Sequence, residues 1–137
     1  MELSMNKPSK QWKEFGQLID IVDIRIGKQQ RKLVKLKKQY QELLNIIEQK
    51  WQQIEQHQQH LKALNVKDEP NALRLLFMRR ESTKSAIESL FFDASVNRQD
   101  AEEVALEIAE VEAEKRRLEK RKDALGELRE ELRYVKS

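Results

Sequence analysis

An apolar or aromatic residue recurs every seven positions through the first half of the chain. The series comprises Met5, Trp12, Ile19, Ile26, Leu33, Tyr40, Ile47, Ile54 and Leu61. A second series, three residues further on, comprises Phe15, Val22, Gln29, Leu36, Leu43, Lys50, His57 and Leu64, of which five are apolar. Two such series at heptad spacing predict one long helix that buries a narrow stripe, as in a coiled coil.

The second half of the chain carries a matching pair of series. The main one comprises Leu76, Thr83, Leu90, Asn97, Val104, Val111, Leu118, Leu125 and Leu132. Its weaker companion comprises Leu73, Arg80, Ile87, Ala94, Ala101, Ile108, Lys115, Lys122 and Arg129. Lysine and arginine can lie along an apolar seam by their aliphatic stems. A second long helix is therefore predicted, continuous through residues 93–100, which contain neither glycine nor proline.

Pro70 separates the two halves. Proline inside a helix costs about 3 kcal/mol or more but is tolerated in the first turn, and Asp68 or Glu69 can cap the helix there. The sequence predicts an all-α fold, a long two-helix antiparallel coiled-coil hairpin with its turn near residues 66–70. The single domain spans 1–137, with helix one over about 7–66 and helix two over about 69–136.

The turn also predicts a register for the two helices. Folding between Asp68 and Glu69 places Trp12 opposite Leu125 and Ile26 opposite Val111, so each residue of the first series meets the main series of helix two. The same fold places Met5 opposite Leu132.

Charge is distributed unevenly along the two helices. All charged residues from 25 to 38 are basic: Arg25, Lys28, Arg31, Lys32, Lys35, Lys37 and Lys38. All charged residues from 100 to 114 are acidic: Asp100, Glu102, Glu103, Glu107, Glu110, Glu112 and Glu114. The predicted register pairs Arg25 with Glu114 and Lys32 with Glu107, each exposed pair contributing at most about 1 kcal/mol. This pairing explains the basic run without nucleic acid, although a nucleic-acid binder remains an alternative.

Composition narrows the range of functions. The chain has 137 residues, is 37% charged, has a formal net charge of +3 and contains no cysteine. It therefore has no disulfide framework or thiolate chemistry. No signal-peptide h-region and no stretch of about 20 apolar residues is present, so a cytoplasmic protein without direct membrane insertion is expected.

Motifs for catalysis or metal binding are weak. Gly16, Gly27 and Gly126 are isolated, so there is no glycine-rich phosphate loop. His57 and His60 have a spacing that can share one helix face, but the glutamine-rich tract around them supplies no third metal ligand. Two packed helices also offer no pocket that excludes water from a substrate. We predict a non-enzymatic protein without catalytic residues, metal or cofactor.

Two groups of residues off the predicted seam are candidate partner-binding surfaces. The first is apolar and lies nearer the turn: Leu75, Phe77, Met78 and Phe92. The second is basic and lies nearer the open end: Arg116, Arg117, Lys120 and Arg121. An equally weighted alternative for the apolar group is local bending, in which aromatic residues flank a poorly packed seam.

The predicted hairpin resembles the central stalk proteins of type III secretion, the FliJ/YscO/InvI-like family, which are similar to the coiled coil of the rotary ATPase gamma subunit. The resemblance covers nearly the whole chain. It rests on size, architecture and composition, on the basic first arm "IRIGKQQRKLVKLKKQYQELL" and on the second arm "EAEKRRLEKRKDALGELREELR". It includes no invariant motif.

The resemblance implies a monomeric stalk that has no active site. Such a stalk inserts its open end into the pore of a hexameric export ATPase, stimulates the ATPase and links it to a membrane export gate, and some members also handle export chaperones. The alternatives are a generic coiled-coil scaffold or tether and a prefoldin-like chaperone subunit. Prefoldin arms are joined by β-hairpins, for which "VKDEPNALRL" is too short.

Overall fold

A computed structural model describes residues 9–65 and 71–133 of the chain. It contains two helices, α1 over Lys10–Ala63 and α2 over Ala72–Glu131, and the described residues form no strand. The predicted all-α class, with two long helices packed against each other, is confirmed. α2 runs without interruption through residues 93–100, as predicted.

The N-terminal ends of both helices are formed by residues that the sequence analysis did not select. The Ser9 hydroxyl accepts a hydrogen bond from the Trp12 backbone N–H at 3.0 Å, which is the usual N-cap arrangement. Asn71 has a φ of 61°, which asparagine tolerates better than most residues, and its carbonyl accepts the Leu75 N–H at 3.0 Å. The predicted turn at 66–70, with its proposed caps and Pro70, lies outside the described residues, as does Met5.

The chain forms two compact units. One comprises Met1–Lys37 with Leu106–Ser137, which we call the first unit, and the other comprises Lys38–Ala105, the second unit. In each, a segment of α1 packs antiparallel to a segment of α2. The described side chains buried in the first unit include Val22, Leu33, Leu36, Val111 and Leu118, and those in the second include Ile54, Thr83, Ala94, Ala101 and Val104.

All of these buried residues belong to the predicted heptad series, so the buried stripe was predicted correctly. Two members of the companion series depart from the prediction. Leu73 is 74% exposed and Arg80 is also exposed, both in the first turns of α2. The seam on α2 therefore begins later than the heptad pattern predicted.

The predicted register is wrong, because the contacts between the helices lie four to ten residues further along α2 than it assigned. In the first unit the side chain of Arg129, not Leu125, lies over the Trp12 ring, and the Ser9 N–H donates to the Arg133 carbonyl at 3.3 Å. In the second unit Trp51 meets Phe91, five residues beyond the partner that the predicted register assigned to it.

The reason for this error is geometric. A residue of the first α1 series that faces the main series of α2 in one register faces the companion series after α2 is moved by four residues. Both series still face the seam after such a shift, so the apolar pattern cannot distinguish the two registers.

Three residues form an end clamp in the first unit, namely Trp12, Gly16 and Arg129. The Arg129 guanidinium carbon lies 3.7 Å from the centroid of the Trp12 ring, and Arg129 Nε donates to the Trp12 carbonyl at 3.1 Å. Gly16 leaves the space that the guanidinium occupies, because a Cβ there would lie 2.5 Å from an Arg129 terminal nitrogen. Beside the clamp, the Ser9 hydroxyl donates to the Leu132 carbonyl. The start of α1 is therefore tied to the end of α2.

The seam of the second unit includes polar residues. Lys50 Nζ donates to the Asn97 side-chain oxygen, and both residues are half-buried. The buried Thr83 hydroxyl donates to the Arg79 carbonyl at 2.9 Å, which satisfies it within its own helix. These polar positions are satisfied by hydrogen bonds, so they are compatible with the seam but bury less apolar surface than leucine would.

The predicted ion pairs between the basic and acidic runs do not form among the described residues. Glu114 instead pairs with Arg117 of its own helix at 3.0 Å. The first unit is bridged at another point, where Lys122 Nζ lies 2.7 Å from Asp23 Oδ1. The predicted pairs, Arg25 with Glu114 and Lys32 with Glu107, depended on the register that the structure corrects.

The Lys122–Asp23 pair predicts a pH dependence of stability. The hydrogen bond from Lys122 to Asp23, reinforced by the charge of Asp23, raises the pKa of Lys122 above its ordinary value of 10.5. A raised lysine pKa stabilises the folded state below the unfolded pKa, and this contribution is lost as pH rises through the folded pKa. We expect the melting temperature of Asp23→Asn to lie below that of the unaltered protein at neutral pH. The difference should shrink above about pH 10.5. A difference that is constant across the alkaline range would contradict the assignment.

Candidate interaction surfaces

Among residues 9–65 and 71–133, no group of three or more His, Cys, Asp and Glu side chains is placed to hold a metal ion. His57 is half-buried at the seam, and His60 is exposed. Neither described helix has a stretch long and apolar enough to cross a membrane.

The α2 basic cluster comprises Arg116, Arg117, Lys120 and Arg121, which are all exposed in the first unit. Their spacing of one and four residues places them on adjacent turns of one side of α2. Leu118, within the same segment, is buried. Arg117 pairs with Glu114, a pair that is largely exposed. The other three side chains form no ion pair within 4 Å with any described residue. The structure therefore brings together the four basic residues that the sequence selected.

The apolar group that the sequence selected divides into two surfaces. Phe77 and Met78 are 64% and 54% exposed near the start of α2, whereas Phe92 lies fourteen residues after Met78 on the same helix. At 1.5 Å per residue this separation is about 21 Å. Phe92 therefore belongs to a different place on α2 from Phe77 and Met78.

Leu75 differs from the prediction because it is half-buried rather than outward-facing. With Met78 it lines an open cavity of about 350 Å³ between the two helices of the second unit, whose remaining lining residues are His60, Arg79, Ser82 and Thr83. A neighbouring cavity of about 520 Å³ shares His60 and Arg79 and extends to the end of α1. Together they form a groove with apolar, hydroxyl and basic groups, which we call the α2 entry groove.

The second apolar surface is aromatic. The Trp51 and Phe91 rings meet edge to face, with centroids 5.1 Å apart and planes at 84°. Such pairs contribute about 0.5–1.5 kcal/mol beyond their buried area. A cavity of about 160 Å³ beside them is lined by Trp51, Phe91, Ala94, Ser95 and Arg98. The aromatic residues thus partly cover each other, as the bending alternative expects, while Phe92 remains 69% exposed.

Sequence analysis missed other exposed apolar residues, which lie in both units. In the first unit Ile21, Ile24 and Leu106 are 47%, 69% and 67% exposed, and in the second unit Leu73 is the most exposed large apolar residue described. Ile21 and Ile24 fall outside both heptad series, so the sequence contained the signal for them. Leu73 falls within a series, so no pattern marked it as exposed.

Comparison with protein-family models, curated protein sequences and solved structures gave no match to this chain.

Proposed function

We propose that this protein is a non-enzymatic central stalk of a type III secretion system. In this proposal it acts in the cytoplasm as a monomer, inserts into the pore of a hexameric export ATPase, stimulates the ATPase and links it to an export-gate membrane protein. Export chaperones are a further class of partner, whereas nucleic acid and cofactors have no part. The observation that carries the proposal is the α2 basic cluster, where all four cations are exposed and three of them pair with no described residue.

Exposed cations on a helix surface favour binding to a partner whose pore is lined by acidic residues. Complementary charge speeds association and selects orientation, while contributing little tight packing. These properties fit a shaft that must enter a ring and remain able to move within it. The end clamp supports the same proposal, because it ties the first turn of α1 to the last turn of α2 and keeps the shaft from fraying.

The α2 entry groove supports a second, different contact. Phe77 and Met78 are exposed beside a cavity that already offers apolar and basic groups. Large apolar side chains next to a recess are typical of the few residues that dominate binding at protein interfaces. We assign this surface to the export gate, so that the ATPase and the gate bind different units of the chain.

The test compares two multiple variants of the full chain. A pull-down from the source cytosol first identifies a hexamer-forming ATPase, and its hydrolysis rate is then measured with each variant. Changing the four residues of the α2 basic cluster to Glu is expected to reduce stimulation strongly. Phe77→Ser combined with Met78→Ser is expected to leave stimulation intact while abolishing secretion. Circular dichroism must show that both variants remain helical.

The outcomes separate the alternatives. If the Phe77/Met78 variant loses stimulation and the cluster variant keeps it, the stalk enters the ring in the opposite polarity. If no ATPase is recovered, or if neither variant alters its hydrolysis rate, the stalk proposal fails. A stable homodimer by light scattering would then favour a coiled-coil scaffold, and suppression of client aggregation would favour a prefoldin-like chaperone subunit.

A further inference from the structure

A straight row of five residues runs along the outer side of α1 in the first unit. The row comprises Ile21, Ile24, Lys28, Arg31 and Lys35, separated alternately by three and four residues. Side chains at this spacing lie one above another on a helix. All five are exposed, whereas Val22, Leu33 and Leu36 on the other side of the same helix are buried. We call this the α1 outer row.

The cations of the α1 outer row have no ion-pair partner among the described residues. Lys28, Arg31 and Lys35, with the adjacent Arg25 and Lys32, form no ion pair within 4 Å in the part of the chain that the structure describes. The acidic run of α2 was predicted to neutralise them and does not. Five unpaired cations therefore lie within eleven residues of one helix, directly after two exposed isoleucines.

We propose that the α1 outer row binds the surface of an anionic lipid bilayer. The helix would lie in the plane of the interface, with Ile21 and Ile24 at the boundary of the acyl chains and the three cations on headgroup phosphates. Each Lys or Arg held near an anionic leaflet strengthens binding about fivefold. Peripheral binding of this kind requires no membrane-spanning helix.

The isoleucines favour lipid over the other anionic partners. Proteins that bind single-stranded nucleic acid combine their cations with aromatic side chains on which bases stack, and the α1 outer row contains no aromatic residue. Binding to a nucleic-acid duplex through its phosphates depends on cations. Two aliphatic side chains in line with the cations would not strengthen it. A bilayer offers an apolar phase for Ile24, which is 69% exposed, next to the charges that Lys28 and Arg31 would contact.

This inference goes beyond the proposed stalk function and does not depend on it. The α1 outer row and the α2 basic cluster lie on different helices and share no residue. Variants of one leave the other unchanged, so the ATPase assay and a lipid assay can fail separately.

The experiment is flotation of the full chain with vesicles of phosphatidylcholine alone or of phosphatidylcholine mixed with phosphatidylserine. We expect binding to the mixed vesicles only, decreasing as salt is added. Lys28→Glu, Arg31→Glu and Lys35→Glu together should weaken it about 100-fold or more, at about fivefold for each lost cation. Ile21→Ser with Ile24→Ser should also weaken it while leaving its salt dependence unchanged. The matched control, Arg116→Glu, Lys120→Glu and Arg121→Glu together, should bind like the unaltered protein.

Three results would overturn the proposal. Equal binding to both kinds of vesicle would remove the role of lipid charge. Equal loss in the matched control would show that net charge, not the α1 outer row, drives binding. Failure to bind the mixed vesicles would overturn it outright. Binding to duplex DNA or concentration-dependent self-association, abolished in the triple row variant, would then assign the row to nucleic acid or to a second copy of the chain.

Discussion

Val22→Asp is expected to destabilise the protein by about 3 kcal/mol or more, because it places a carboxylate at a buried seam position. Val22 is only 3% exposed in the first unit, among the buried residues of both helices. Lys122, which bridges the helices in the first unit, already pairs with Asp23. Thermal unfolding followed by circular dichroism measures the change, and a decrease in melting temperature of about 10 °C is expected.

Ile24→Asp is the matched control for Val22→Asp. The two positions lie two residues apart on α1, carry β-branched aliphatic side chains, and differ mainly in exposure, since Ile24 is 69% exposed. Substitution at an exposed position should change the free energy of unfolding by no more than about 0.5 kcal/mol. Similar destabilisation by the two variants would show that the assigned buried stripe is wrong.

Arg129→Ala is expected to destabilise the first unit by about 2 kcal/mol. The change removes the contact of the guanidinium with the Trp12 ring, which contributes about 0.5–2 kcal/mol depending on its exposure. It also removes the hydrogen bond from Arg129 Nε to the Trp12 carbonyl. A charged donor makes such a bond worth about 1.5–3 kcal/mol, although partial exposure lowers both contributions. Chemical denaturation measures the loss.

Two glycines test the end clamp more sharply than Arg129→Ala alone. Both lie inside helices, where Gly→Ala normally stabilises by about 1 kcal/mol. A Cβ at Gly126 meets nothing within 4 Å, so Gly126→Ala should show this gain. A Cβ at Gly16 would lie 2.8 Å from the Arg129 guanidinium carbon and push that side chain off Trp12. Gly16→Ala should therefore give no gain or a net loss.

A double-mutant cycle completes the test. When Arg129 is already alanine, Gly16→Ala no longer displaces a guanidinium and should stabilise like Gly126→Ala. The coupling between Gly16 and Arg129 should be about 1–2 kcal/mol. Additive effects of the two changes would mean that the clamp does not hold Arg129 in place.

The candidate surfaces were predictable to different extents. The α2 basic cluster could be identified because four cations one and four residues apart share a helix side whatever the partner helix does. The division of the apolar group was also available from the sequence, because fourteen residues of one predicted helix separate Met78 from Phe92. Leu75 was assigned to the outside, but it is half-buried and lines a groove with His60.

The sequence by itself determined the two long helices and the stripe that each buries. Those features depend on the heptad period and the scarcity of breakers, which are local properties of the chain. Only the tertiary structure decided the register, because a shift of α2 by half a heptad or by a whole one keeps both of its series facing the seam. The register then decided the partners of the charged side chains: Lys122 pairs with Asp23, and Arg129 lies over the Trp12 ring. The basic run of α1 forms no ion pair with any described residue. Pairing between helices depends on where one helix lies along the other, and no single-helix pattern contains that information.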